Sequence, residues 1–254
     1  MSGGNLQRLK QSLVELRLPT FREHHSSQAA LASKESWSYP QYLLALSELE
    51  VADRRERRIQ KLRRTSKLPW DKSLTSLDRT RLPQSVDRQL AVLVEGDFLN
   101  RAENLLVFGK PGSGKTHLVC ALGQELILQD RRVLFSTCAL LVQRLLRAKL
   151  ELTLEKELKK LDRFEALIID DIGYVQHDRE EMEILFTLLS HRYERRSILL
   201  TSNLVFSDWE KIFKDPLTTA AAIDRVIHHS VILELNVPSY RMEEAKKRTQ
   251  KEAR

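Results

Sequence analysis

Leu6, Leu9, Leu13 and Leu16 recur at three- and four-residue steps, which predicts an amphipathic helix over 5–16. The Leu18-Pro19 pair breaks it, and a short helix near 20–32 follows. Tyr42, Leu43, Leu46, Leu49 and Val51 then mark the apolar face of a long helix over 38–66. The stretch Lys67-Leu68-Pro69-Trp70-Asp71-Lys72-Ser73 reads as a linker, with Pro83 a further breaker. After Asn104 the pattern changes. Short leucine-rich or β-branched runs at 105–108, 133–135, 167–169, 198–201 and 231–235 alternate with four longer helical stretches. Continuously apolar strands separated by helices indicate a parallel sheet covered on both faces, so the chain reads as a small helical region followed by an α/β unit.

Composition narrows this further. A chain of 254 residues, 42% hydrophobic and 30% charged, can bury a proper core and is not disordered. No run approaches the roughly 18 apolar residues of a membrane span, and the first residues lack the apolar block of a secretory signal, so a cytoplasmic protein is expected. Cys120 and Cys138 are too few and too far apart for a disulfide framework or a CxxC zinc site. The net charge of +7 suggests a polyanionic partner. Residues 1–80 hold 15 basic and 9 acidic side chains, against 27 and 26 in the remainder, so the excess lies at one end. It is concentrated in residues 54–67, where Arg54, Arg55, Arg57, Arg58, Lys61, Arg63, Arg64 and Lys67 are accompanied by one acid, Glu56. A charge run is ordinarily a solvated helix face. Here the near absence of acids, with cations spread round the helix, favours phosphate contact, strongly salt-dependent and without base reading.

The sharpest chemical signal is Gly109-Lys110-Pro111-Gly112-Ser113-Gly114-Lys115-Thr116, which matches G-x-x-x-x-G-K-[ST] between an apolar strand and a helix. In that context the loop's backbone N–H groups and the helix N-terminus make an anion site. Lys115 is placed for the β- and γ-phosphates of ATP, and the Thr116 hydroxyl for Mg²⁺. Leu167-Ile168-Ile169-Asp170-Asp171 is a strand ending in two carboxylates. Asp170 is the candidate metal anchor and Asp171 the candidate base for the attacking water. Asn203, closing the run Thr201-Ser202-Asn203, is a candidate to orient that water or, equally, a turn former. His24-His25 and His228-His229 do not read as metal sites, since adjacent side chains diverge and no third ligand stands at usable spacing. Trp37, Trp70 and Trp209 read as packing residues.

Together the segments GKPGSGKTHL, LIIDDIGY, TSN and DRVIHH resemble the IstB-like ATPases, transposition helpers of bacterial insertion sequences related to the DnaC helicase loaders within the AAA+ class. The pieces LQRLKQSLVELRLPTF, SYPQYLLALSELEVADRRERRIQKLRR and SLTSLD are similar to that family's helical DNA-facing region, and PSYR at 238–241 to its closing motif. The resemblance implies a P-loop AAA+ fold with a five-stranded parallel sheet between helices, preceded by a small all-α domain. It divides the chain into a DNA-facing helical domain at 1–67, a linker and pre-core helix at 68–103, and an ATPase core at 104–254. It implies an ATPase that forms homo-oligomers on double-stranded DNA, bends it and stimulates a separate transposase, with a helicase loader acting on a replicative helicase as the alternative. Asn203 then takes the sensor role, and Arg225 becomes an arginine finger reaching a neighbouring subunit's ATP. The insertion at 140–161 carries Arg144 and Arg147 as further candidate DNA contacts, offset by Glu151, Glu155 and Glu157. Asp171 stands where many AAA+ proteins have Glu, which implies slow hydrolysis. With 19 residues after Leu235, a full lid domain is not expected, and Arg241 is a partial substitute. Two bland readings compete: a small-molecule P-loop kinase, which has no use for the cationic helix, and an ATP-gated binding module without turnover.

Overall fold

The structure is a computed structural model, described over residues 3–173, 179–209, 216–240 and 242–243. It separates into two compact units that meet between Lys61 and Leu62, so residues 68–103 lie in the same unit as the core.

The first unit is built from α1 (Gly3–Glu15), α2 (Pro19–Lys34) and most of α3 (Tyr39–Ser66). Arg17 adopts φ 55°, and the Leu18 amide donates back to the Leu13 carbonyl at 2.9 Å, which closes α1. At the start of α2, Leu18 has no capping side chain and Pro19 no amide hydrogen. The orphaned donors are met from thirty residues away: Glu50 of α3 accepts from the Thr20 amide at 2.9 Å and the Phe21 amide at 3.4 Å. Asp53 accepts from the Thr20 hydroxyl at 2.6 Å, so two carboxylates stand at the positive end of the α2 dipole. Leu13 and Leu46 are buried in the same unit, and the Tyr42 hydroxyl donates to the His25 carbonyl at 3.0 Å.

The second unit holds α4 (Gln84–Val94), β1 (Asn104–Gly109), α5 (Lys115–Leu128), β2 (Val133–Thr137), α6 (Cys138–Leu150), α7 (Leu154–Leu161), β3 (Ala166–Asp170), α8 (Arg179–Arg192), β4 (Ser197–Ser202), α9 (Pro216–Ile227) and β5 (Ser230–Leu235). All five expected strands form, within two residues of the expected limits. They make one parallel sheet in the order β2-β3-β4-β1-β5. Leu105, Leu106, Val107, Ile168 and Leu199 are fully buried, as both-face coverage requires. α4 and α5 pack together, with α5 against β1 to β4, whereas α6, α8 and α9 share the other apolar cluster. The insertion at 140–161 resolves into α6, a short turn and α7.

The chain runs from β1, which lies between β4 and β5, through α5 to the far edge strand β2 and returns through β3 and β4. Crevices at such reversals, outside the carboxyl ends of the strands, are where open α/β sheets bind ligands. The GKPGSGKT loop, Asp170-Asp171 and Asn203 all fall at that end. No helix among the described residues is long and apolar enough to cross a membrane.

Candidate functional site

The loop after β1 turns on Gly109, Gly112 and Gly114 and delivers Lys115 as the first residue of α5. Lys115 is 5% exposed, and its ammonium donates to the carbonyls of Gly109 at 2.7 Å and Lys110 at 3.1 Å, which stretches the lysine back over its own loop. Thr116 donates its hydroxyl towards both carboxylate oxygens of Asp170, at 2.9 and 3.1 Å. Asp170, buried at the end of β3, also accepts from the Thr201 hydroxyl of β4 at 2.7 Å. The two residues expected to share Mg²⁺ are thus brought into direct contact although 54 positions apart.

Asp171 follows in a left-handed conformation, φ 61°, unusual for a residue with a side chain, and lines the cleft over the loop. Asn203 reaches the same turn from β4. A Cβ on Gly173 would stand 2.2 Å from Asn203 Oδ1, so only glycine lets the amide come this close. Asn203 Oδ1 and Ser113 Oγ are buried and have no hydrogen-bond partner among the described residues. Orphaned polar atoms beside a phosphate loop suit a polar, multiply charged ligand. The set Lys115, Thr116 and Asp170, a cation beside a hydroxyl and a carboxylate, also fits a nucleotide phosphate with a hard divalent cation.

The cleft over the loop measures about 590 Å³. One wall is the loop itself. The opposite wall comes from residues 72–82 and from Val237, Pro238 and Tyr240, and the first of these segments reads from sequence as linker, with 73–78 similar to the family's DNA-facing region, rather than as part of the cleft. It is held on α5. Gln124 donates to the carbonyls of Pro69 at 3.0 Å and Lys72 at 2.9 Å, and His117 Nε2 lies 3.0 Å from the Ser73 carbonyl. Arg81 joins the two outer pieces: it stacks over Tyr240 at 5.1 Å, donates to the Pro238 carbonyl at 3.2 Å and pairs with Glu243 at 3.0 Å. The Tyr240 amide donates to the Gly112 carbonyl at 3.0 Å, so the segment after β5 sits directly on the phosphate loop. Of the motif segments, Tyr174 and Arg241 lie outside the described residues.

Arg225 is not part of the cleft. It lies half-buried on α9, its guanidinium 4.9 Å over Phe186 and donating to the Ala221 carbonyl at 2.9 Å. His228 and His229 do not diverge as their adjacency suggests, and a third side chain does stand near them. Their rings stand 4.1 Å apart, and Glu194 brings a carboxylate oxygen within 3.8 and 3.5 Å of them. Spacing alone could not find Glu194, because the turn before β4 supplies it, and all three side chains are exposed. Cys120 and Cys138 are buried, and burial pushes both thiols up to about 12, where they are inert.

On α3, Arg54, Arg55, Arg57, Arg58, Lys61 and Arg64 are exposed, whereas Arg63 is half-buried over the Trp70 ring at 4.1 Å. Arg54 and Arg57 also serve the helix. Arg54 pairs with Glu50 at 2.7 Å and donates to the Arg17 carbonyl at 2.6 Å, and Arg57 pairs with Asp53. In the insertion, Arg144 of α6 pairs with buried Glu157 of α7, which Lys160 also meets at 2.9 Å, while Arg147 stays exposed.

The family model described as IstB-like ATP binding protein matches residues 11–249. A Sinorhizobium fredii protein named as an insertion sequence ATP-binding protein is 43% identical over 239 residues, covering 94% of this chain and 80% of its own. The protein named for ATP binding in insertion sequence IS21 of Pseudomonas aeruginosa is 37% identical over 245 residues, covering 95% and 91%. Among solved structures, the DnaC helicase loader superposes with a TM-score of 0.55 at 19% identity, over 65% of this chain and 97% of the loader. The replication initiator DnaA bound to AMPPCP and single-stranded DNA gives 0.57 at 16% identity, over 73% and 56%. At those identities the likeness concerns the fold, which is that of the P-loop AAA+ proteins.

Proposed function

The chain belongs to the IstB-like ATP-binding protein family of insertion sequences, and from that footing we propose that it is a slow, Mg²⁺-dependent ATPase. In this reading it assembles with ATP on duplex DNA in the cytoplasm and there stimulates the transposase of its insertion sequence. The observation that carries the proposal is the Thr116–Asp170 contact beside Lys115, at the sheet's reversal point.

When bound, ATP with Mg²⁺ supplies the scissile phosphoanhydride and a divalent charge on its phosphate oxygens. Lys115 leaves its two carbonyl partners to meet the β- and γ-phosphates. Thr116 and Asp170 are the residues that would hold the cation, in place of their mutual hydrogen bond. Asp171, at the cleft wall, accepts the proton of the attacking water, and the Asn203 amide orients that water from the neighbouring strand end. Residues 77–82 with Val237, Pro238 and Tyr240 cover the base side and keep solvent out. Arg225 stands outside its own cleft, which suits a cation supplied to a neighbouring subunit. That arrangement makes hydrolysis depend on assembly. The exposed cations of α3 contact the DNA backbone.

Phosphate release measured with and without duplex DNA tests this reading. Slow release that duplex accelerates supports it; no release under either condition leaves an ATP-gated binding module. Acceleration by single strands alone would favour a helicase-loader role instead.

A further inference from the structure

Between the two candidate carboxylates and the sensor asparagine stands a residue that none of these roles includes. Thr201 lies on β4, opposite Val107 of β1, with its side chain fully buried. A threonine hydroxyl has one proton to donate and lone pairs to accept with. Here both are used: it donates to Asp170 Oδ1 at 2.7 Å and accepts from the Asp171 amide at 2.8 Å. The Thr201 carbonyl in turn accepts from the Ile172 amide at 3.1 Å. One residue therefore grips the carboxylate of Asp170 and the backbone on either side of Asp171, whose φ of 61° needs such support. Neighbouring Ser202 turns its hydroxyl to the Leu204 carbonyl instead, so this grip belongs to Thr201.

We infer that Thr201 is a positioning residue of the ATPase site, coupling the orientation of the cation-holding carboxylate of Asp170 to the placement of Asp171. The inference rests on the roles proposed above for those two aspartates. Asp170 is held on one side by the Thr116 hydroxyl, which must let go when a cation enters. Thr201 is the partner that stays, so it keeps the carboxylate aimed as Thr116 changes partner. Without it, Asp170 gains rotational freedom and the Asp171 amide loses its acceptor inside a buried strand end.

The test compares Thr201→Val, nearly isosteric but without the hydroxyl, and Thr201→Ser, which keeps it. Equilibrium binding of a fluorescent, non-hydrolysable ATP analogue is measured in EDTA and across a Mg²⁺ titration, with phosphate release in parallel. Thr201→Val is expected to bind in EDTA within about twofold of wild type, yet to need roughly tenfold more Mg²⁺ for half-maximal tightening, in keeping with loss of a hydrogen bond to a charged group. Its kcat falls by a similar factor with KM little changed, and Thr201→Ser restores both. A merely structural role would lower the melting temperature and leave the Mg²⁺ midpoint in place. Wild-type Mg²⁺ dependence in Thr201→Val overturns the inference. So does loss of that dependence in Thr201→Ser, which stands as a test even where the valine protein does not fold. The underlying reading has its own signature: wild type and Asp170→Asn binding the analogue identically with and without Mg²⁺ removes the cation site, and the inference with it.

Discussion

The Thr116 hydroxyl lies 2.9 Å from Asp170 Oδ1 and 3.1 Å from Oδ2, so the end of the phosphate loop and the end of β3 are already joined. The contact spans two strands that are not neighbours in the sheet, since β4 runs between β1 and β3. Thr201 of β4 completes the bridge at 2.7 Å. The cation site is therefore organised by three elements at once.

Lys115→Ala removes the buried ammonium, and the hydrogen bonds it would make to phosphate are charge-assisted, each worth about 1.5–3 kcal/mol. ATP affinity measured by titration calorimetry should fall about 100-fold, with ATP-dependent assembly lost as well. Unchanged assembly would show that the loop is not the nucleotide site.

Arg225→Ala should leave ATP affinity within about threefold of wild type and lower hydrolysis by about 1,000-fold or more, the lower end of what a finger in trans contributes. Mixing it with Asp171→Asn protein pairs an intact finger with an intact cleft at some interfaces, and phosphate release should partly return. If properly mixed oligomers show no recovery, Arg225 does not act between subunits.

The cations of α3 should behave as backbone contacts. For Arg64→Ala, the slope of log affinity against log salt on duplex DNA should shrink by about 0.9 for each phosphate contact removed, equally for unrelated sequences. Arg54→Ala should differ, because Arg54 also holds Glu50 and the Arg17 carbonyl, and its loss should lower thermal stability. Identical salt slopes in all variants would take DNA away from this helix.

Glu50 makes stability depend on pH. Burial alone would push its carboxyl up, but Arg54 and the amides of Thr20 and Phe21 together hold it below the ordinary carboxylate range. A depressed folded value means that the carboxylate stabilises the fold above its unfolded value of about 4.3, and that this is lost as pH falls through the folded value. Melting followed by circular dichroism should therefore show the transition falling below about pH 4. Glu50→Gln should cost about 1–3 kcal/mol at pH 7 and flatten that dependence. A variant as acid-sensitive as wild type would remove Glu50 as the cause.

The helices of the first unit and the five strands could be read from sequence because their apolar positions follow the 3.6- and 2-residue periods or form continuous runs. The phosphate loop and Asp170 could be read because a short motif fixes both residue type and local geometry. Strand order could not, since each strand looks alike when both faces are buried. The 72–82 wall was hidden for a different reason: it has little apolar periodicity, and its order comes from Gln124 and His117, 40 to 55 positions away. Glu50 looked like an ordinary polar residue on an amphipathic helix, yet it is 4% exposed and caps another helix. Thr201 was read as part of a strand, and its hydroxyl acquires meaning only when β3 lies beside it.

Electron microscopy of the protein with a non-hydrolysable ATP analogue, Mg²⁺ and duplex DNA shows whether the ATPase assembles through Arg225 on the duplex. The expected particle is an oligomer on the duplex, with Arg225 of one subunit at the phosphate loop of the next and α3 along the DNA backbone. Particles that remain monomeric, or an oligomer in which Arg225 lies far from every neighbouring loop, would contradict it.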